Sequence, residues 1–137
     1  MRKPQTKNES YVKAAVKKLL DKHGWFWWMP PANGFGQSGI SDIHAVKAGM
    51  FMAVETKFGK RDPTAMQQGF LDSVRSANHF GFVVRDTTIE AFGEFLTYLD
   101  KSIEVAAQGL VPDADIGGPL LDAINTLHST EIMGAKH

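Results

Sequence analysis

The chain of 137 residues has 43% hydrophobic and 22% charged residues and no cysteine, a composition that suits one compact domain and excludes disulfide bonds and thiolate metal sites. The formal net charge is zero, but residues 1–61 carry 11 Lys and Arg against 4 Asp and Glu, whereas residues 62–137 carry 4 against 11. A basic half can attract a polyanion such as nucleic acid, although both halves can equally mix on one folded surface.

The first half of the chain predicts a helix followed by three strands. Residues 8–24 favour a helix, because apolar residues recur at helical spacing on one face and lysines lie on the other. The aromatic run at residues 25–29 ends at two prolines and suits a short strand. Residues 32–39 are expected to form a loop, and two further strands are predicted over residues 40–47 and 50–58.

A second helix is predicted over residues 62–78. Asp62 is expected to be its N-cap, with Pro63 at the first helical position. The apolar stripe of this helix is expected to consist of Met66, Phe70 and Val74.

A fourth strand at residues 80–85 and a third helix at residues 87–102 complete the predicted core. Thr87 is expected to open the helix, with Glu90 three positions further on. The order helix, three strands, helix, strand, helix predicts an α/β or α+β sandwich whose mixed sheet is flanked by helices.

The two ends of the chain add expectations about domains and localisation. We expect a domain over residues 1–104 and an appendage over residues 105–137, with a short helix at 119–128, that belongs to the same domain or to a dimer interface. The basic start lacks a following apolar run, so no signal peptide is expected. The longest apolar stretch is too short to span a bilayer, and we expect a cytoplasmic protein without membrane partners.

The hairpin at residues 40–58 carries charge inside its strands. A two-residue turn at residues 48–49 would place Asp42 directly opposite Glu55, and Lys57 would project from the same face as Glu55. Directly opposed side chains have Cβ atoms roughly 4.5–5.5 Å apart. Two carboxylates at that separation destabilise a sheet unless something neutralises them.

Three arrangements could neutralise the acids. One carboxyl could keep its proton, Lys57 could form a salt bridge, or a divalent cation such as Mg²⁺ could bridge both carboxylates. The last also offers a reaction, because a bound cation acidifies its water and stabilises charge on a phosphoryl oxygen, while Lys57 could orient that water. The alternative is a solvated surface ladder of Asp42, Lys57 and Glu55, and a one-residue slip would place the acids on opposite faces.

The same residues resemble the signature of the PD-(D/E)XK nuclease superfamily. In that signature an Asp precedes a Glu-x-Lys triplet on the next strand by about a dozen residues, as do Asp42 and the ETK of residues 55–57. Ser41 stands in place of the Pro of the family name. The segments NGFG at 33–36 and SGISDI at 38–43 are similar to those of the VRR-NUC branch, whose S/T-x-x-Q helix resembles the helix with Gln67.

The resemblance implies a restriction-endonuclease-like αβββαβ core, although FVVR stands where that branch has its VRR, and a Holliday-junction-resolvase-like relative is the alternative. It implies a divalent-metal-dependent endonuclease, of a size found among phage nucleases, that hydrolyses DNA, including branched or junction DNA, as a homodimer. The alternative function is a non-catalytic DNA-binding or assembly module that keeps the fold.

The resemblance also assigns roles to individual residues. It implies that Mg²⁺ or Mn²⁺ is held by Asp42, Glu55, the backbone carbonyl of Thr56 and, as an auxiliary ligand, Glu9. Lys57 would assist the nucleophilic water, and Gln67 would orient Lys57 or the scissile phosphate. Two alternatives stay open: Glu9 closes a capping box with Thr6, and Gln67 is a solvated helix residue.

Two other features favour structural roles. His44 should face the same way as Asp42, where it could contact substrate, but a lone strand histidine is more often a half-buried polar residue. The tryptophans could stack on bases, but their clustering favours the core or an interface; they are Trp25, Trp27 and Trp28.

Overall fold

The computed structural model describes residues 7–31 and 39–108. The elements, in chain order, are α1 (Glu9–Lys22), β1 (Phe26–Trp28), β2 (Ile43–Lys47), β3 (Met50–Lys57), α2 (Ala65–Ser76), β4 (Phe80–Arg85), a 3₁₀ turn (Asp86–Thr88) and α3 (Ile89–Ala107). This confirms the predicted order. Most of the predicted loop at 32–39 and the predicted short helix at 119–128 lie outside the described residues.

The four strands form one mixed sheet in the order β1-β2-β3-β4. The first two pairings are antiparallel, and β3 pairs with β4 in parallel. A parallel neighbour requires a crossover connection, and α2 provides it. The larger core cluster joins the sheet to α1 and α3, and the smaller one joins β3 and β4 to α2. The α+β class with helices on both sides of a mixed sheet is thereby confirmed.

Strand β3 alternates its side chains between these two clusters. Met52 and Val54 enter the cluster with α1 and α3, whereas Ala53 enters the cluster with α2. Gly81 of β4 lets α2 approach closely, since a Cβ there would lie 2.8 Å from the carbonyl oxygen of Leu71. The middle of α2 is therefore held close to the sheet.

The predicted N-cap of α2 is wrong, because Thr64 takes that position instead of Asp62. The Thr64 hydroxyl accepts from the Gln67 N–H at 3.2 Å, and the Gln67 side chain accepts from the Thr64 N–H at 2.8 Å. This reciprocal capping box satisfies two otherwise unpaired donors. Asp62 instead accepts a hydrogen bond from Arg85, which draws it away from the helix.

The predicted apolar stripe of α2 is also rotated. Leu71 is the fully buried residue of this helix, Phe70 and Val74 are half-buried, and Met66 is 59% exposed. Because α2 covers β3 and β4, the side chains above those two strands are the ones that become buried. The other boundaries differ slightly, since α3 begins at Ile89 with Thr88, rather than Thr87, as its N-cap.

Among the described helices, none has both the length and the apolar character that a membrane span requires.

A polar cluster ties three elements together at one end of the sheet. Nδ1 of His23, which follows α1, lies 2.6 Å from Oδ2 of Asp100 on α3. Lys47, at the end of β2, donates to Oδ1 of Asp100 at 2.7 Å and also to the carbonyl oxygen of His23. Although burial acts in the opposite direction, these hydrogen bonds from His23 and Lys47 lower the pKa of Asp100.

We expect Asp100→Asn to lower the free energy of unfolding by about 1 kcal/mol at neutral pH, because Asp100 is partly exposed and its ion pair is screened. Since the folded-state pKa lies below the ordinary 3.8, this contribution is present above that value and is lost as the pH falls through the folded-state pKa. Urea unfolding at several pH values measures it. Glu104→Gln, on the exposed side of α3, is the matched control, and an equal loss in both variants would contradict the assignment.

Candidate metal centre

The predicted hairpin register is confirmed. Residues 48 and 49 form the turn, both with positive φ, at 50° for Ala48 and 79° for Gly49, as the tight two-residue turns of hairpins require. Lys47 then pairs with Met50, and the ladder ends where Ile43 pairs with Val54. The next residues along each strand are Asp42 and Glu55, so the register carries the two acids to the same end of the hairpin.

Asp42 does not belong to a strand, contrary to the prediction of a strand over residues 40–47. It lies just before β2, and its Oδ2 accepts hydrogen bonds from the backbone N–H and the hydroxyl of Thr56, both at 2.8 Å. The carboxylate therefore takes the place that a strand carbonyl would occupy, which explains why the ladder stops at Ile43. This role of the Thr56 side chain was not predicted from the sequence.

Glu55 and Lys57 lie on one face of β3 and are buried. Glu55 is 1% exposed and Lys57 is 6% exposed, and Nζ of Lys57 lies 3.7 Å from Oε1 of Glu55. The alternative of a solvated surface ladder is therefore wrong for these two residues. A buried pair of opposite charges costs desolvation free energy, so it needs further hydrogen bonds around it.

Gln67 supplies one of those hydrogen bonds. Its Nε2 donates to Oε1 of Glu55 at 2.9 Å, while its Oε1 accepts from the Thr64 N–H. The alternative of a solvated helix residue is wrong, because both ends of the amide are engaged. The resemblance implied that Gln67 orients Lys57 or a phosphate, whereas in the structure its side-chain amide donates to Glu55.

Glu9 reaches the same place from α1. Asn8 is the N-cap of this helix and accepts from the Tyr11 N–H, and Glu9 is the first helical residue. The alternative in which Glu9 closes a capping box with Thr6 is therefore wrong. A capping box needs the acid at the third helical position, and Glu9 is at the first. One carboxylate oxygen from each of Glu9, Asp42 and Glu55 lies within 4.8 Å of the other two. These three oxygens define what we call the acidic triad.

The electrostatics of the triad are unusual for Glu55. Burial, together with the charge of Asp42, raises the pKa of Glu55 to about 8, against the opposing effect of Lys57. Its Oε2 is buried and has no hydrogen-bond partner among the described residues. A buried acceptor without a donor is costly, so this oxygen calls for a proton or a cation. Hard carboxylate oxygens are the ligands that Mg²⁺ and Mn²⁺ prefer.

Basic side chains border the triad. Nζ of Lys13 lies 3.8 Å from Oδ1 of Asp42, and Nη1 of Arg61 lies 3.7 Å from Oε2 of Glu9. The Arg61 side chain is 73% exposed, so it faces solvent next to the acids. The triad is therefore bordered by positive charge, part of which is exposed to solvent.

Arg85 braces the segment that carries Arg61, and sequence reasoning missed it. Its Nη1 donates to the carbonyl oxygens of Gly59 and Arg61, and its Nη2 donates to Oδ1 of Asp62 at 3.0 Å. Asp86 adds a hydrogen bond from the Gly59 N–H at 2.8 Å. The available signal was an arginine that ends an apolar strand and is followed at once by an aspartate, since a buried charge requires partners.

His44 packs among aromatic rings. Its ring stacks on Phe70 with centroids 5.6 Å apart and meets Phe51 and Trp28 edge-on. Burial lowers the pKa of His44. The interpretation of a half-buried polar residue therefore fits His44 better than a substrate contact. Trp25 is buried in the core, as its clustering predicted, whereas Trp28 is exposed.

No model of a known protein family matches the sequence, and no curated protein matches it either.

The pKa of Glu55 predicts a pH-dependent stability in metal-free buffer. The folded chain keeps the Glu55 proton up to a pH of about 8, whereas the unfolded chain loses it near the ordinary value of 4.5. Between these values the folded state binds more protons, so this contribution to the free energy of unfolding is lost as the pH rises. Glu55→Gln removes the titration, and its stability relative to wild type should increase from about pH 5 to about pH 8. Urea unfolding in EDTA measures the difference, which a pH-independent offset would contradict.

The double role of Gln67 predicts a cost for Gln67→Ala. The variant loses half of the capping box and one donor to a buried carboxyl, so the free energy of unfolding should fall by about 2 kcal/mol. Gln68→Ala is the matched control, because Gln68 bonds to the exposed Asp72, and it should cost less than about 0.5 kcal/mol. Equal costs in chemical denaturation would show that the contact with Glu55 is energetically unimportant.

Proposed function

We propose that the protein is a divalent-metal-dependent nuclease of the PD-(D/E)XK type that hydrolyses phosphodiester bonds in DNA. The observation that carries the proposal is the buried carboxyl of Glu55. Its Oε2 has no hydrogen-bond partner among the described residues, Nζ of Lys57 lies 3.7 Å from its Oε1, and one of its oxygens lies within 4.8 Å of carboxylate oxygens from Glu9 and Asp42. The VRR-NUC-like assignment, a restriction-endonuclease-like core and a preference for branched DNA belong to the same proposal.

The residues fit Mg²⁺ or Mn²⁺. Asp42, Glu55 and Glu9 would hold the ion, with the backbone carbonyl of Thr56 as a further ligand by resemblance. When bound, the cation supplies an acidified water molecule and stabilises negative charge on a phosphoryl oxygen. The three carboxylates come from three separate parts of the chain. Oε2 of Glu55 has no hydrogen-bond partner among the described residues, which supports a bound cation over a purely structural role for the carboxyl.

Each of the two central acids has one oxygen tied down by the protein. Thr56 holds Oδ2 of Asp42, and Gln67 holds Oε1 of Glu55. The second oxygen of each carboxylate is therefore presented in a fixed orientation, with little rotamer freedom left to lose on binding. Catalytic groups gain most when their geometry is set before the substrate arrives.

Lys57 is the group that would act on the reacting atoms. Its ammonium is almost fully buried beside Glu55. A positive charge attracts a negative charge more strongly where water is excluded. It would donate a hydrogen bond to the attacking water or to a non-bridging phosphate oxygen, where charge develops in the transition state. The exposed Arg61 and half-exposed Lys13 would attract the phosphates on either side.

The test is cleavage of supercoiled, linear and branched DNA with Mg²⁺ or Mn²⁺. We expect cleavage that EDTA abolishes, and a loss of at least about a hundredfold in rate for Glu55→Ala, Asp42→Asn and Lys57→Met, as for removal of other transition-state contacts. Asp72→Asn, an exposed acid on α2, is the matched control and should leave the rate unchanged. Metal-independent cutting, or cutting that Glu55→Ala does not diminish, would end the proposal.

A thermal-shift titration separates the nuclease from a non-catalytic DNA-binding module. A cation that binds only the folded state raises the melting temperature with concentration, and Glu55→Ala should remove that response. DNA binding without cleavage and without any metal response would favour the non-catalytic module instead.

A further inference from the structure

A groove of about 560 Å³ runs along the outer side of α1, between this helix and β1. It is lined by the rings of Tyr11 and Trp27, by the charged side chains of Lys17, Lys18 and Asp21, and by Ala14 and Ala15. The small side chains of the two alanines leave room for a flat group beside the rings. The nuclease mechanism proposed above does not use this groove.

The rings of the groove are held in place by charged neighbours. Nε1 of Trp27 donates to Oδ1 of Asp21 at 2.7 Å, and Nζ of Lys17 lies 5.4 Å from the centroid of the Trp27 ring. Nζ of Lys7 lies 5.8 Å from the centroid of the Tyr11 ring. A fixed ring loses little entropy when a ligand packs against it, so this wall suits a planar ligand.

The charge of the groove favours an anion. Lysines outnumber acids along α1 and the residues just before it, and they are Lys7, Lys13, Lys17, Lys18 and Lys22. Among the residues that line the groove, Lys17 and Lys18 stand against the single acid Asp21, so the lining keeps a formal net positive charge. The ligand should therefore carry negative charge as well as flat apolar rings.

The groove lies on a different side of α1 from the acidic triad. Tyr11 follows Glu9 by two residues, and side chains two positions apart on a helix do not share a face. The groove is therefore a surface separate from the triad on the same helix. Lysines with aromatic rings are the combination that proteins use for single-stranded nucleic acid.

We propose that this groove binds a single-stranded segment of nucleic acid, with bases packed against Tyr11 and Trp27 and phosphates paired with Lys17 and Lys18. The proposal rests on the proposed function for the identity of the substrate, although binding in the groove requires no metal. A duplex does not fit as well, because its bases are stacked on one another and their faces are not accessible to side chains.

The test is fluorescence anisotropy of a labelled single-stranded oligonucleotide and of the matching duplex in EDTA, so that neither metal nor cleavage contributes. We expect the single strand to bind more tightly than the duplex. Tyr11→Leu, which keeps apolar packing but removes the ring, should weaken binding about tenfold, the equivalent of about 1.4 kcal/mol. Trp27→Phe should preserve most of the affinity, whereas Trp27→Leu should not.

The lysines are tested by the salt dependence of the same binding. Lys17→Gln combined with Lys18→Gln should reduce the slope of log affinity against log salt by about 1.4, since each phosphate contact with a single strand contributes about 0.7. Lys101→Gln, an exposed lysine on α3, is the matched control and should leave the slope unchanged. Circular dichroism of each variant shows whether the fold is kept. If a ring variant fails to fold, the salt dependence of the Lys17→Gln, Lys18→Gln variant decides whether the groove binds the oligonucleotide.

The outcomes separate this inference from the nuclease. Binding that responds to the groove variants in a protein that does not cut DNA would overturn the proposed function and support the groove. Normal cleavage with binding that ignores all groove variants would overturn the groove and leave the nuclease intact. Equal affinity for the single strand and the duplex would also overturn the groove proposal. So would competition by polyglutamate that is as effective as competition by unlabelled single strand, because either result would leave only non-specific attraction of anions.

Discussion

The buried carboxyl of Glu55 is the constraint around which the rest of the structure is organised. A carboxylate without water needs opposite charge, donors or a proton, and the chain supplies the first two with Lys57 at 3.7 Å and Gln67 at 2.9 Å. Asp42 and Glu9 act in the opposite direction by adding negative charge nearby. This concentration of acids costs stability, and the cation that we propose would offset that cost.

The position of α2 follows from the same constraint. Gln67 can reach Glu55 because Gly81 allows the helix backbone to lie directly on β4, and because the capping box fixes the first turn of the helix at Thr64. One side chain therefore closes a helix terminus and holds a buried acid. A change in the path of the chain before α2 would move both functions together, and Arg85 prevents this by anchoring Gly59, Arg61 and Asp62.

The sequence predicted what depends on local pattern. Apolar alternation and the tight turn were enough to set the hairpin register, and with it the meeting of Asp42 and Glu55. The N-cap of α2 was wrong because two local rules competed: Asp-Pro favours one start and Thr-x-x-Gln another. The choice between them was made by Arg85, more than twenty residues away, and no local pattern contains that contact. The burial of Lys57 likewise depends on elements that are distant in the chain.

Helix α1 connects the triad to the groove through its rotation about its own axis. Val12, Val16 and Leu20 are buried against the sheet, and Glu9 continues that row at helical spacing, so packing alone turns its carboxylate toward the sheet end where the other two acids lie. Tyr11 and Lys18, seven residues apart, form a neighbouring row that the same rotation turns toward β1. The apolar row therefore fixes the direction of both polar rows at once. Glu9 and the row of Tyr11 and Lys18 could then not change their relative orientation without disrupting the core.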